Sequence, residues 1–231
     1  MRPSLRIALH EWNLVGKEPR FLLPFFIAPL LLVGVEAFVV FLQPGQEAYE
    51  TWRLTRSVLL MVSVLASGLV VPLCADSFAG EKERNTLELL MCLPVSQQSL
   101  FRGKVLGIYP FPVLAGWVGQ AVVLGILVVK NLWLPDFLSE AAKALILTPI
   151  LGLFLCAFST LVSLKSESVR GAAQMSSLAV LGFFFLMMFL SGKILSSDFF
   201  YLQFMILLIA GATFCLYLGR RRFSDGGNLS H

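Results

Sequence analysis

The chain has 231 residues, 57% of them hydrophobic and 14% charged, with a mean hydropathy of +0.81. A soluble domain carries about 25% charged residues, so this composition excludes an ordinary soluble enzyme and describes one membrane domain. The net charge of +4 reads as a topology signal rather than as affinity for nucleic acid, because the basic residues gather on one side of the apolar runs.

The first element lies in residues 4–18, SLRIALHEWNLVGKE. Leu5, Ala8, Leu9 and Trp12 recur at helical spacing, while Arg6, His10, Glu11 and Lys17 spread over the other faces. The pattern predicts a helix lying in the membrane interface, ended by Pro19 and Arg20. Six runs follow that are long and apolar enough to cross about 30 Å of hydrocarbon as helices. They cover 21–42, 57–75, 105–129, 144–164, 171–192 and 199–218, and only the first contains a charge, Glu36. Its length, without a small-residue cleavage site after it, predicts an anchor rather than a removed leader.

The connections on one side, 43–56, 130–143 and 193–198, are short and carry the turn signals Pro44-Gly45 and Pro135-Asp136. On the other side, 165–170 (KSESVR) joins spans four and five as a tight antiparallel pair. Residues 219–231, GRRRFSDGGNLSH, read as a tail with three arginines at the headgroups and a polar, unstructured end. Span three carries Gly103, Gly107, Gly116, Gly119 and Gly125, small residues that let helices approach closely in lipid.

Between spans two and three lies the one substantial charged segment in the middle of the chain, 78–104. It opens with Glu81, Lys82, Glu83 and Arg84, and its composition predicts a short amphipathic helix over 86–91 that Pro94 ends. Leu87, Leu90 and Met91 share one face at i, i+3 and i+4. A polar stretch then runs to Gly103 and Lys104. The side holding both termini and this segment carries thirteen of the eighteen Lys and Arg residues. The other side has only Arg53, Arg56, Lys130, Lys143 and Lys193. By the positive-inside rule, both termini and 78–104 face the cytoplasm.

Nothing in the chain forms a catalytic constellation. There are two histidines, no phosphate-binding glycine loop and no zinc-protease or nucleophile-elbow motif. Cys74, Cys92, Cys156 and Cys215 lack metal-ligand spacing and read as packing residues. Glu36 is the ionisable group set inside a span. A carboxylate there costs about 2.5–3.5 kcal/mol on insertion scales, so it faces a cavity or partner, is protonated, or snorkels to the outer headgroups. Asp76 either caps the helix that follows or pairs with a nearby Arg or Lys. The run 183–189, FFFLMMF, covers too much of a helix circumference to line a pore alone.

The segment EKERNTLELLMCLPVSQQSLFRGK resembles the signature of the type-2 ABC exporter permeases through Glu81, Glu83, Arg84, Thr86, Leu87, Glu88, Leu89, Leu90, Pro94, Ser96, Gly103 and Lys104. Asn85 stands where glycine is frequent in that family, a departure expected to alter a helix start. The resemblance extends to the whole layout. It implies an all-α polytopic membrane protein with an N-terminal interfacial helix over 1–20, a six-helix domain over 21–219 and a cytoplasmic tail over 220–231. Between helices two and three it implies a coupling helix that docks on a separate ABC ATPase. The implied coupling residues are Glu81, Lys82, Glu83, Arg84, Thr86, Leu87, Glu88, Leu90, Met91 and Pro94.

The same resemblance implies two copies of the ATPase, which bind the ATP and Mg, and a second permease that is either identical or related. This chain would be non-catalytic and bind no cofactor or metal of its own. It would sit in a bacterial-type inner membrane, with the translocation path between the two permeases near their first, second and fifth spans, close to Glu36. Two other readings stand beside export of a small or amphipathic substrate. One is the haem-exporter permease of cytochrome c maturation. The other is a non-transporting scaffold or mechanical transmitter driven by an ABC ATPase.

Overall fold

A computed structural model describes residues 3–17, 27, 30, 31, 33, 34, 48–86, 95–129 and 137–226. Their regular structure is entirely helical: α1 (Pro3–Lys17), α2 (Ala48–Gly68), α3 (Val70–Cys74), a π turn (Ala75–Gly80), α4 (Glu81–Glu83), α5 (Gln97–Ile108), α6 (Pro110–Val129), α7 (Phe137–Lys165), α8 (Val169–Ser196) and α9 (Asp198–Gly226). Among the described residues, five stretches are long and apolar enough to cross a membrane: Ser57–Glu83, Gln97–Val129, Leu138–Lys165, Val169–Ser196 and Asp198–Phe223. They correspond to expected spans two to six. Of the first, Ile27, Leu30, Leu31, Val33 and Gly34 are helical, and Val33 is buried in the core. Glu36 lies outside the described residues.

The helices outrun the apolar runs that predict them. α2 begins at Ala48 and α7 at Phe137, inside what reads as loop, and α5 absorbs the polar stretch before Gly103. Hydropathy marks the part of a helix that lipid solvates, not its polar ends. At one end of the bundle those extra turns carry cross-links. Lys143 Nζ donates to the Leu195 carbonyl at 3.0 Å and pairs with Asp198 at 2.6 Å. The Tyr201 hydroxyl donates to the Lys143 carbonyl at 3.0 Å. At the opposite end α9 continues through Arg220–Arg222, so the three arginines expected at the headgroups lie on a helix. Phe223, only 3% exposed, holds it by packing edge-on against Phe78 (6.2 Å) and beside Phe101 (5.9 Å).

Two large apolar clusters form most of the core among the described residues. One joins α2, α6, α7, α8 and α9 around Leu59, Leu60, Leu147, Leu151, Met187 and Leu195. The other gathers α1, α3, α5 and the π turn around Val70, Leu73, Phe78, Phe101 and Ile108. Cys74 and Cys156 lie face to face within it, thiols free and Sγ atoms 3.9 Å apart. A polar knot ties three spans: Gln120 Nε2 donates to Ser63 Oγ at 2.8 Å and reaches the Leu59 and Ala144 carbonyls at 3.2 Å, and Ser63 meets Thr148 at 2.9 Å. In lipid such bonds hold helices together where hydrophobicity alone cannot.

Pro149 sits inside α7 and has no N–H for the Leu145 carbonyl. The Trp117 indole donates to that oxygen at 3.1 Å instead. The run 183–189 divides as its length requires: Met187 is buried, whereas Phe185, Met188 and Phe189 are exposed.

Candidate functional site

The site is built where the second apolar helix leaves the core. After Cys74 the helix widens into the π turn Ala75–Gly80, a geometry that leaves backbone groups in need of partners. Ser163 of α7 meets them. Its hydroxyl donates to the Cys74 carbonyl at 2.9 Å and accepts the Ala79 amide at 3.0 Å. The helix resumes as Glu81–Glu83 and stops at Arg84. Asn85 adopts φ 56°, the left-handed conformation that only glycine and, among other residues, asparagine or aspartate visit readily. The Asn85 amide bonds the Lys82 carbonyl at 3.0 Å and the Thr86 amide bonds the Glu81 carbonyl at 2.9 Å, a Schellman ending. Asn85 thus closes α4, while the helix expected to start after it lies outside the described residues.

The four charged residues of α4 and its cap each grip a different part of the chain. Glu81 Oε1 binds Lys104 Nζ at 2.6 Å on α5. Lys82 Nζ donates to the Leu164 carbonyl in the last turn of α7, a favourable place for a cation. Glu83 Oε2 accepts the Val169 amide at 3.0 Å at the start of α8, where a carboxylate opposes the positive helix end. Arg84 pairs with Asp76, one of the two roles open to that residue in the sequence. Thr86 Oγ1 donates to the Glu81 carbonyl at 3.2 Å. All four thus brace their own bundle. Leu87, Glu88, Leu90, Met91 and Pro94 lie outside the described residues.

Lys104 is the centre of the brace. It is 2% exposed, and its ammonium contacts Glu81, Glu11 Oε1 at 3.0 Å, the Ser77 carbonyl at 3.1 Å and Ser77 Oγ at 3.3 Å. Three N–H donors are thereby shared among four acceptors, and the cation lies 5.7 Å from the Phe78 ring centroid. Burying an ammonium costs several kcal/mol unless such partners surround it. A cavity of about 240 Å³ opens beside the brace, lined by Glu11, Asp76, Ser77, Glu81, Arg84 and Lys104 among others.

Glu11 reaches Lys104 because α1 packs directly on α5. A Cβ at Gly103 would lie 2.7 Å from Ile7 side-chain atoms, and one at Gly107 would lie 2.6 Å from Glu11 Cβ. Trp12 stacks on Phe111 at 4.4 Å. The apolar stripe expected on α1 divides: Ala8 and Trp12 turn inward, while Leu5 and Leu9 are exposed, 48% and 47%. Glu11, Ser77 and Ser163 were not legible as site residues. The available signal was the Gly103–Lys104–Gly107 spacing, a cation between two helix-contact glycines.

Residues 5–203 match the ABC-2 family transporter protein family. The chain is also 28% identical over 169 residues to the ABC transporter permease protein NatB of Bacillus subtilis (strain 168). That match covers 69% of this chain and 44% of the relative, so it spans less than half of the relative's length. The family match runs from α1 into α9 and takes in the whole bracing site. The chain therefore belongs to the ABC-2 family of transporter proteins.

Proposed function

We propose that the chain is the transmembrane permease subunit of an ATP-driven ABC exporter that moves a small or amphipathic substrate outward. ATP and Mg are bound and hydrolysed on a separate ABC ATPase, present in two copies, and a second permease, identical or related, completes the transporter. The complex sits in a bacterial-type inner membrane with both termini of this chain cytoplasmic, and the coupling segment 78–104, with an amphipathic helix over 86–91, docks on the ATPase.

The observation that supports this reading most is the distribution of contacts from Glu81, Lys82 and Glu83. Three successive residues bond to α5, α7 and α8. A push on the segment just beyond them is delivered to three spans together, as a rigid-body change between two states requires. α8 adds a second support. Arg170, Gln174 and Ser177 are exposed along one side of it beside a groove of about 570 Å³. Polar groups inside a span are costly against lipid, so this side suits a second permease and the path between them. Glu36 belongs to the same path in this reading.

The test is purification of the tagged chain in mild detergent with mass spectrometry of its companions. A stoichiometric ABC ATPase is the expected result, and a monodisperse chain with no ATPase overturns the proposal. Reconstituted vesicles then separate export from scaffolding, because only a permease gives ATP-dependent substrate flux.

A further inference from the structure

A second groove, of about 470 Å³, runs between α5, α7 and α9 on the outside of the bundle. Its floor is apolar, formed by Val105, Leu106, Leu153 and Leu216, and two guanidinium groups line it, Arg102 and Arg220. Arg220 is positioned by a 2.6 Å bond to the Gln98 side chain, which uses one of its five N–H donors. Arg102 is exposed and has no partner among the described residues. Other basic groups at this end of the bundle, Lys82, Arg84 and Lys104, are occupied within the chain. Tyr217, 62% exposed, borders the groove with the amphipathic character typical of a membrane interface.

We infer that this groove holds one anionic phospholipid of the cytoplasmic leaflet, its acyl chain on the leucine floor and its phosphate between Arg102 and Arg220. The inference rests on the topology proposed above, which places both arginines at the inner headgroups. Three features select this occupant. The floor matches hydrocarbon. The charge at the groove is positive with no acidic residue lining it. Basic pockets between spans on the cytoplasmic side suit anionic headgroups. A soluble anion would leave the leucine floor uncovered, and a zwitterionic lipid would bring its own cation to the arginines.

The test is native mass spectrometry of the full chain in detergent, titrated with phosphatidylglycerol or phosphatidylcholine. One saturable phosphatidylglycerol per chain is expected, retained at least about ten-fold better than phosphatidylcholine, given roughly 1 kcal/mol per basic residue near an anionic surface. R102Q/R220Q loses that preference, and L153W, which fills the floor and keeps both charges, loses the lipid. R222Q, at an exposed arginine on the same helix end, and R102K retain it. Equal retention in wild type, R102Q/R220Q and L153W overturns the inference. So does equal retention of both lipids, or protection against thermal unfolding by millimolar inorganic phosphate as strong as that by phosphatidylglycerol. R102K reports on the site if a double variant fails to fold. ATPase stoichiometry in the same preparations is read separately, so loss of the lipid site and loss of the exporter reading are told apart.

Discussion

Lys104 Nζ lies 2.6 Å from Glu81 Oε1, joining α4, which leaves the π turn, to α5. Glu11 closes the bridge from α1 at 3.0 Å. Three elements distant in sequence thus share one buried cation, and movement of any of them is felt by the other two.

Replacing Lys104 by Met leaves the Glu11 and Glu81 carboxylates, each 16% exposed, without their cation. Breaking a buried pair by removing one partner costs about 3–5 kcal/mol, and the residual exposure favours the lower end. A clear drop in the thermal midpoint in detergent is expected, partly recovered when Glu11→Gln and Glu81→Gln are added. An unchanged midpoint would show that the bridge carries no stability.

Glu83 and Leu87 are expected to separate by function. Glu83→Ala removes the acceptor of the Val169 amide and is expected to preserve ATPase co-purification while lowering substrate-stimulated ATP hydrolysis. Leu87→Asp is expected to remove the ATPase from the purified complex. Identical behaviour of the two variants in a pull-down would contradict this division between transmitting and docking residues.

Gly107→Ala and Gly125→Ala form a matched pair. Alanine ordinarily favours a helix over glycine by about 1 kcal/mol. At Gly125 a Cβ meets nothing within 4 Å, whereas at Gly107 it meets Glu11 Cβ at 2.6 Å and the Ala8 carbonyl at 3.0 Å. Thermal melts should therefore show Gly125→Ala neutral or stabilising. Gly107→Ala should cost about 1–3 kcal/mol through overpacking.

Trp117→Phe leaves the Leu145 carbonyl without a donor, a loss of about 1 kcal/mol. Pro149→Ala restores the backbone N–H that the helix itself lacks there. A double-mutant cycle should find Trp117→Phe nearly silent in the Pro149→Ala background, and additive effects would show that the indole bond is incidental.

Glu36→Gln tests the proposed path. A change in the pH dependence of flux is expected if its carboxylate faces the substrate, and an identical profile at every pH favours a snorkelling glutamate.

Spans two to six are legible because each is a charge-free apolar run, and the Asp76–Arg84 pairing lies within one helix's reach. The bracing site is harder to read. Its partners are separated by 93 residues for Glu11–Lys104 and 86 for Glu83–Val169, and neither element signals the other. ADSFAG has no feature that distinguishes a π turn from an α turn, since the deciding group is the Ser163 hydroxyl on another helix. On α1, apolar residues on two faces make the inward one ambiguous until Gly103 and Gly107 admit Ile7 and Glu11.

The π turn Ala75–Gly80 also makes the chain unusually sensitive to length. Such a turn holds one residue more than the regular helix around it. Deleting a single residue there would leave hydropathy and charge almost untouched, yet rotate Glu81–Arg84 by about 100°. Glu81, Lys82 and Glu83 would then lose aim at their partners together, so a one-residue deletion in this turn should cost more than most substitutions within it.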